Sequence, residues 1–335
     1  MHAPPPKPSL GNAFADAYSP PASSPSSSSC WLAFQPETGI SNAQGLALAR
    51  EALGLSHPVP LAIMDSGVGG LAVAQAVRQL APHWPLVYLA DTAWMPYGDK
   101  SLDDLKLRVR QLYQGLQRTF GTQHLVLACN SASASLPLPA TLPALGVGDD
   151  AMASLSVAGV LPPLVDIIST TVTHATAWAH AFVAMHGRPP RLALVATVAT
   201  HRSHRYEDWM GYAEAPCQLA SFACPGLASA IEHQAPNLAT VLAYALAPVQ
   251  RWQPDALILG CTHYLLVAPL FAQVLGDEVA LINPAGVIAE RLVAGLPTTT
   301  PNMPQGNSPP TVLLTTGDLA TATDILNPWV ELCQL

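Results

Sequence analysis

Strand-sized apolar runs recur along this chain, and each ends in a short polar or glycine-containing turn. They stand at 59–64 (VPLAIM), 86–90, 124–128, 155–160, 191–196, about 217–222, 255–260, 279–283 and 311–315. Helical patterns fill about 71–80, 102–119, 163–185, 285–294 and 318–334. Runs that are continuously apolar, rather than alternating, suit strands buried on both faces, as in parallel sheets covered by helices. The repeated βα units therefore predict an α/β fold. The alternation restarts half-way, which predicts two similar doubly wound parallel-sheet domains with the active site in the cleft between them.

The expected partition follows from chain order. Residues 59–153 plus 284–335 form the first α/β domain, since the C-terminal strands return to it, and 154–283 form the second. Residues 1–58 are expected to be a disordered or appended N-terminal extension. Within it, 1–30 are rich in Pro and Ser, with PPP at 4–6 and SPSSSS at 24–29; such a segment buries too little to offset its ordering entropy. A helical appendage is expected around 40–54. The Pro- and Thr-rich loop 297–310 is long enough to be mobile.

Bulk properties narrow the function. The 14 Lys and Arg are outnumbered by 22 Asp and Glu, for a net charge of −8, and the cations are spread along the chain. Nucleic-acid recognition needs them clustered, so a small polar substrate is expected and no nucleic acid. No apolar run reaches the 18 or so residues of a membrane span, so no membrane role is expected. Six cysteines, at 30, 129, 217, 224, 261 and 333, form no CxxC pair and no dense framework. This fits reduced thiols in a cytoplasm and suggests no metal site. Cys217, Cys224 and Cys333 read as small core hydrophobes.

Cys129 and Cys261 read differently. The stretch LVLACNSASA at 125–134 and LILGCTHY at 257–264 each run an apolar strand into Cys and then a hydroxyl- or amide-bearing residue. In open α/β sheets ligands bind outside the carboxyl ends of strands, which places both thiols at functional edges. Two facing thiols suit inversion of a carbon bearing a weakly acidic hydrogen: one must be deprotonated while the other keeps its proton. Asp65, at the end of the first strand, and His263, two residues after Cys261, are the nearest groups to assist. DSGVGG at 65–70 makes a turn whose backbone can approach a ligand, but lacks the spacing of a dinucleotide or phosphate-binding loop. In DTAWMPYGDKS (91–101), Pro96 and Gly98 flank Tyr97, a way to present an amide and a phenol, or an ordinary turn. Thr197, Thr200 and Ser203 fall near a helix start, as caps or as carboxylate-binding hydroxyls.

Together DSGVGG, DTAWMPYGDKS, ACNSASA (128–134), the T-x-x-T-x-x-S-x-x-Y series from Thr197 to Tyr206, LILGCTHY and TTGD (315–318) make the chain resemble the glutamate racemases of the aspartate/glutamate racemase superfamily. The resemblance spans about residues 59–335. It implies a cofactor-independent interconversion of L- and D-glutamate, the D-isomer feeding peptidoglycan synthesis, by a cytoplasmic homodimer. It implies Cys129 and Cys261 as the acid/base pair, assisted by Asp65 and His263, and substrate contacts from Asp65, Ser66, Tyr97, Gly98, Asn130, Ser131, Thr200, Thr262 and His263. With only Lys7, Lys100 and Lys106 in the chain, few lysines are available for Schiff-base chemistry.

The chain departs from the family pattern in places. It reads GVLPPLV at 159–165, with Pro162 at the position of a family glutamate and Leu164 at that of a glycine; Asp166 is the nearest acid. Ala196 replaces a glycine before Thr197, and Asn283 and Pro284 replace an acid and a hydroxyl. Two alternatives therefore stay open: a non-catalytic amino-acid-binding homologue, and a racemase of a related acidic or N-blocked amino acid.

Overall fold

The computed structural model describes residues 31–40, 43–52, 61–122, 124–138, 164–296, 311–333 and 335. The expectations for 1–30, for a strand at 155–160, for Pro162 and for the loop 297–310 lie outside the described residues.

A first sheet contains β1 (Trp31–Gln35), β2 (Gly39–Ile40), β3 (Leu61–Asp65), β4 (Leu86–Ala90), β5 (His124–Leu127), β6 (Leu164–Asp166) and β11 (Thr311–Thr315), in the order β2-β1-β11-β4-β3-β5-β6. A second contains β7 (Arg191–Ala196), β8 (Gln218–Ala223), β9 (Ala256–Gly260) and β10 (Ala280–Ile282), in the order β10-β9-β7-β8. Every pairing is parallel except that of β1 with β2. Each residue of β3, β4 and β9 is buried, as parallel strands covered on both faces require.

The helices are α1 (Ala43–Ala52), α2 (Leu71–Leu80), α3 (Leu102–Phe120), α4 (Asn130–Ala134), α5 (Ile167–His186), α6 (Val198–Arg202), α7 (Arg205–Tyr212), α8 (Leu227–Glu232), α9 (Leu238–Trp252), α10 (Thr262–Leu266), α11 (Ala268–Leu275), α12 (Pro284–Ala294) and α13 (Leu319–Leu332). Their boundaries have local causes. Ser101 accepts a hydrogen bond from the Asp104 amide to start α3, and Gly121 ends it in the left-handed region at φ 65°, a conformation that costs glycine little. Asp166 caps α5 through the Ser169 amide, and Asn283 caps α12 through the Ala285 amide, with Pro284 in its first turn.

The two sheets share one topology at their centres. From β3 the chain crosses to β4 on one side and then to β5 on the other; from β7 it crosses to β8 and then to β9. Each sheet therefore has a switch point, between β3 and β5 and between β7 and β9, where adjacent connections leave in opposite directions and open a crevice. Cys129 lies just past β5 and Cys261 just past β9. This is the pseudo-repeat visible in the sequence.

Two stretches sit differently from the expected partition. Trp31–Gln35 is no appendage: it pairs in parallel with β11, and Trp31 packs edge-on against Tyr88 and donates from its indole to Asn327 Oδ1 at 2.9 Å. Leu164–Asp166, expected to open a helix of the second domain, pairs with β5 as an edge strand of the first sheet. The helix starts later because Asp166 caps it. Helix α12 packs on α2 and α5, which ties the C-terminal part back to the first sheet.

Candidate active site

The turns after β3, β5, β7 and β9 converge on one cleft of about 300 Å³, at the small end of the range for ligand sites. It is lined from the first sheet by Ser66, the 95–99 loop, Cys129, Asn130 and Ser131. From the second come Thr197, Val198, residues 224–226, Ala228, Ser229, Glu232, His233, Cys261, Thr262 and His263.

Register explains the placement of Cys129. Met64 on β3 is opposite Leu127 on β5, and the Ala128 amide donates to the Met64 carbonyl, so Ser66 and Cys129 emerge level with each other. Their Oγ and Sγ are 3.6 Å apart. Cys129 is buried, and burial, with the Asp65 carboxylate adding to it, pushes its thiol well above the ordinary range. It is held as a protonated thiol.

Cys261 has different company. Its Sγ is 3.8 Å from Nδ1 of His263, and Nε2 of His263 is 3.4 Å from Oε1 of Glu232, all three buried. Burial alone would lower the imidazole, but its hydrogen bonds to Cys261 and Glu232 hold it well above its usual value. Burial would raise Glu232, and the His263 contact outweighs this and lowers it. The pair is an imidazolium beside a carboxylate, with the ring's other nitrogen against sulfur.

Of the residues expected at the site, Ser66, Tyr97, Gly98, Cys129, Asn130, Ser131, Cys261, Thr262 and His263 line the cleft, whereas Asp65 and Thr200 do not. Asp65 is a strut: its Oδ2 accepts from the Gly67 and Gly70 amides at 3.2 and 3.1 Å, and its Oδ1 accepts from the Thr262 hydroxyl at 3.2 Å, linking the first turn to the GCTH turn. Thr200 lies behind Ser131 and Thr197, its Oγ1 3.4 and 3.1 Å from theirs. Asn130 accepts on Oδ1 from the Tyr206 hydroxyl at 2.7 Å, while its buried Nδ2 has no partner among the described residues. The amide is thus oriented with a free donor at the cleft wall. Tyr97 lines the cleft but does not offer its phenol, which donates to Asp91 Oδ2 at 2.5 Å. Asp91 is the buried hub of this loop, gripped by the Arg108 guanidinium at 2.9 and 2.7 Å and by the Thr316 hydroxyl. The TTGD segment thereby fastens the YG loop.

Among the wall residues outside the expected set are Cys224, Thr197 and Glu232. Cys224, read as a core thiol, lines the cleft; burial pushes it up to about 12. Thr197, read first as a cap, both caps α6 and faces the cleft. Glu232 was not singled out. The signal available for it was an acid directly after Ile231 in the mostly apolar stretch LASAIE.

Known proteins share this architecture. The glutamate racemase of Acidothermus cellulolyticus is 36% identical over 231 residues, 68% of this chain and 78% of its own. That of Mycobacterium ulcerans is 32% identical over 283 residues, 82% of this chain and 95% of its own. The crystal structure of glutamate racemase isoform RacE1 from Bacillus anthracis superposes with a TM-score of 0.64 at 26% identity, covering 82% of this chain and 94% of that one. No protein-family model matches the chain. The two-domain α/β fold and these relatives define an amino-acid racemase, an isomerase. In particular, the chain belongs to the glutamate racemase family of the aspartate/glutamate racemase superfamily.

Proposed function

We propose that this protein interconverts L- and D-glutamate by proton transfer between Cys129 and Cys261, without a cofactor. The observation that carries the reading is the unequal setting of two thiols at equivalent switch points of one cleft. Cys129 is kept protonated by burial and by Asp65, whereas Cys261 lies against His263, which is itself paired with Glu232. In one direction Cys261, as thiolate, takes the hydrogen from Cα and leaves the electron pair on carbon; Cys129 then donates its proton to the opposite face. The reverse direction exchanges the roles. Ser66, Asn130, Ser131 and Thr262 offer hydroxyl and amide donors for the substrate's carboxylates, and Asp65 and Thr200 support them from behind.

In the same reading, β1–β6 and β11 with α12 and α13 form one domain and β7–β10 with their helices the other. Family membership supports a homodimer in the cytoplasm whose D-glutamate supplies peptidoglycan synthesis. Among the described residues no helix is long and apolar enough to cross a membrane.

The test is circular dichroism of purified protein with D-glutamate, beside Cys129→Ser and Cys261→Ser, with deuterium uptake at Cα followed in heavy water. Decay of rotation to zero for the wild type alone supports the two-thiol mechanism. A wild type that binds glutamate but neither racemises it nor exchanges its Cα hydrogen would replace the reading with a binding homologue; turnover of another acidic amino acid alone would replace the substrate.

A further inference from the structure

Among the described residues no lysine or arginine lines the cleft. Its carboxylates, Asp99 and Glu232, and the chain's net charge of −8 oppose an anion, and the His263 cation is already matched by Glu232. A glutamate carries a net negative charge at neutral pH, so something nearby must offset this field.

The offset lies in an adjoining recess. A second cavity of about 400 Å³ shares Gly98, Asp99 and Val198 with the cleft, and its other walls include Lys100, Arg202 and Ser101. Lys100 and Arg202 stand on opposite sides of the passage, one after the YG loop of the first sheet and one at the end of α6 of the second. Both are exposed, and among the described residues neither takes part in an ion pair. This sets Arg202 apart from Arg78, Arg108, Arg118, Arg188 and Arg205, whose guanidinium groups donate to protein acceptors. The two cations outweigh Asp99, the carboxylate of the shared wall.

We infer that this recess is an anion antechamber, in which Lys100 and Arg202 collect a carboxylate of the incoming amino acid and pass it between Gly98 and Val198 to the thiols. The inference rests on the reading of the cleft as a glutamate site. Cations in a concave, water-filled recess with low-dielectric walls focus their field and raise the local concentration of an anionic ligand. A guanidinium suits a carboxylate geometrically, and an ammonium adds a mobile charge. Screening sets the range: the Debye length is about 8 Å at physiological ionic strength, so the effect acts at the passage and not across the molecule.

The experiment compares wild type with Lys100→Ala/Arg202→Ala and Lys100→Glu/Arg202→Glu. Racemisation kinetics are measured from low to physiological salt, alongside calorimetric binding of D-glutamate. Expected are a wild-type KM that rises with salt, and an alanine pair with KM about ten-fold higher at low salt and a flattened salt response. The glutamate pair should be weaker still, and kcat should move far less than KM. An unchanged KM, affinity and salt response in variants that still racemise glutamate overturns the antechamber and leaves the proposed function standing. A wild type that neither binds nor racemises glutamate overturns both, and is seen before any variant is compared.

Discussion

Nε2 of His263 lies 3.4 Å from Oε1 of Glu232, while Nδ1 of the same ring lies 3.8 Å from the sulfur of Cys261. The ring is thus held between Cys261 and a buried carboxylate, and both contacts raise its affinity for a proton. Glu232→Gln removes the counter-charge, so His263 gives up its proton at lower pH. The basic limb of kcat/KM against pH should shift downward, and an unmoved limb would show that another group sets it. His263→Gln should lower kcat by about 10²-fold, the lower end for loss of a general acid or base.

The same pair makes a stability prediction. His263 is raised in the folded protein, so its contribution is full below about pH 6.5 and fades as pH climbs through its folded value. Glu232 is lowered, so its contribution is full above about pH 4.3 and fades as pH falls through its folded value. Urea unfolding across pH should show wild type gaining over Glu232→Gln most between those limits, and an equal difference at every pH would contradict it.

Tyr206 holds Asn130 by its Oδ1, while Nδ2 of this cleft-wall residue is left without a partner among the described residues. Tyr206→Phe frees the amide to rotate. With a net hydrogen bond worth about 1 kcal/mol, KM should rise roughly five-fold, measured by initial rates in both directions; unchanged KM with lowered stability would make the contact purely structural.

Asp91 and Arg108 form a buried ion pair with Nη2 2.7 Å from Oδ1. Arg108→Leu should cost about 3–5 kcal/mol, because it strands a buried carboxylate. Asp91→Asn combined with Arg108→Leu should recover much of that loss in chemical denaturation, and a double variant as unstable as the single one would contradict the pairing.

Gly69 has no room for a side chain: an added Cβ would sit 2.4 Å from Thr262 Oγ1 and 2.6 Å from the His263 backbone nitrogen. Gly69→Ala should therefore push the GCTH turn away from the first sheet. A displacement of about 1 Å at reacting groups can cost 10²-fold in rate, so kcat should fall far more than thermal stability; normal kcat would show that the turn relaxes freely.

How much of this was visible in the sequence depended on the range of the cause. The buried parallel strands announced themselves as apolar runs, and β4, β7 and β11 fall where those runs lie. Cys129 and Cys261 were legible because each ends such a run. Glu232 was not, since its meaning comes from His263, 31 positions along the chain. Asp65 and Tyr97 stood out by motif, but a motif does not say which way a side chain turns: the backbone amides of Gly67 and Gly70 took up one, and Asp91 the other. β1 and β6 pair with strands distant in the chain, β11 and β5, so local pattern gave them little weight.

The position of β11 between β1 and β4 has a consequence for biosynthesis. The strands of the second sheet follow one another within 191–282, so that sheet can close while translation is still under way. The first sheet has a gap at β11 until residues 311–315 have left the ribosome, and until then the facing edges of β1 and β4 lack their shared neighbour. At about 5–20 residues per second of synthesis, the half carrying Cys129 waits several seconds behind the half carrying Cys261, with open strand edges that a nascent-chain chaperone would shield.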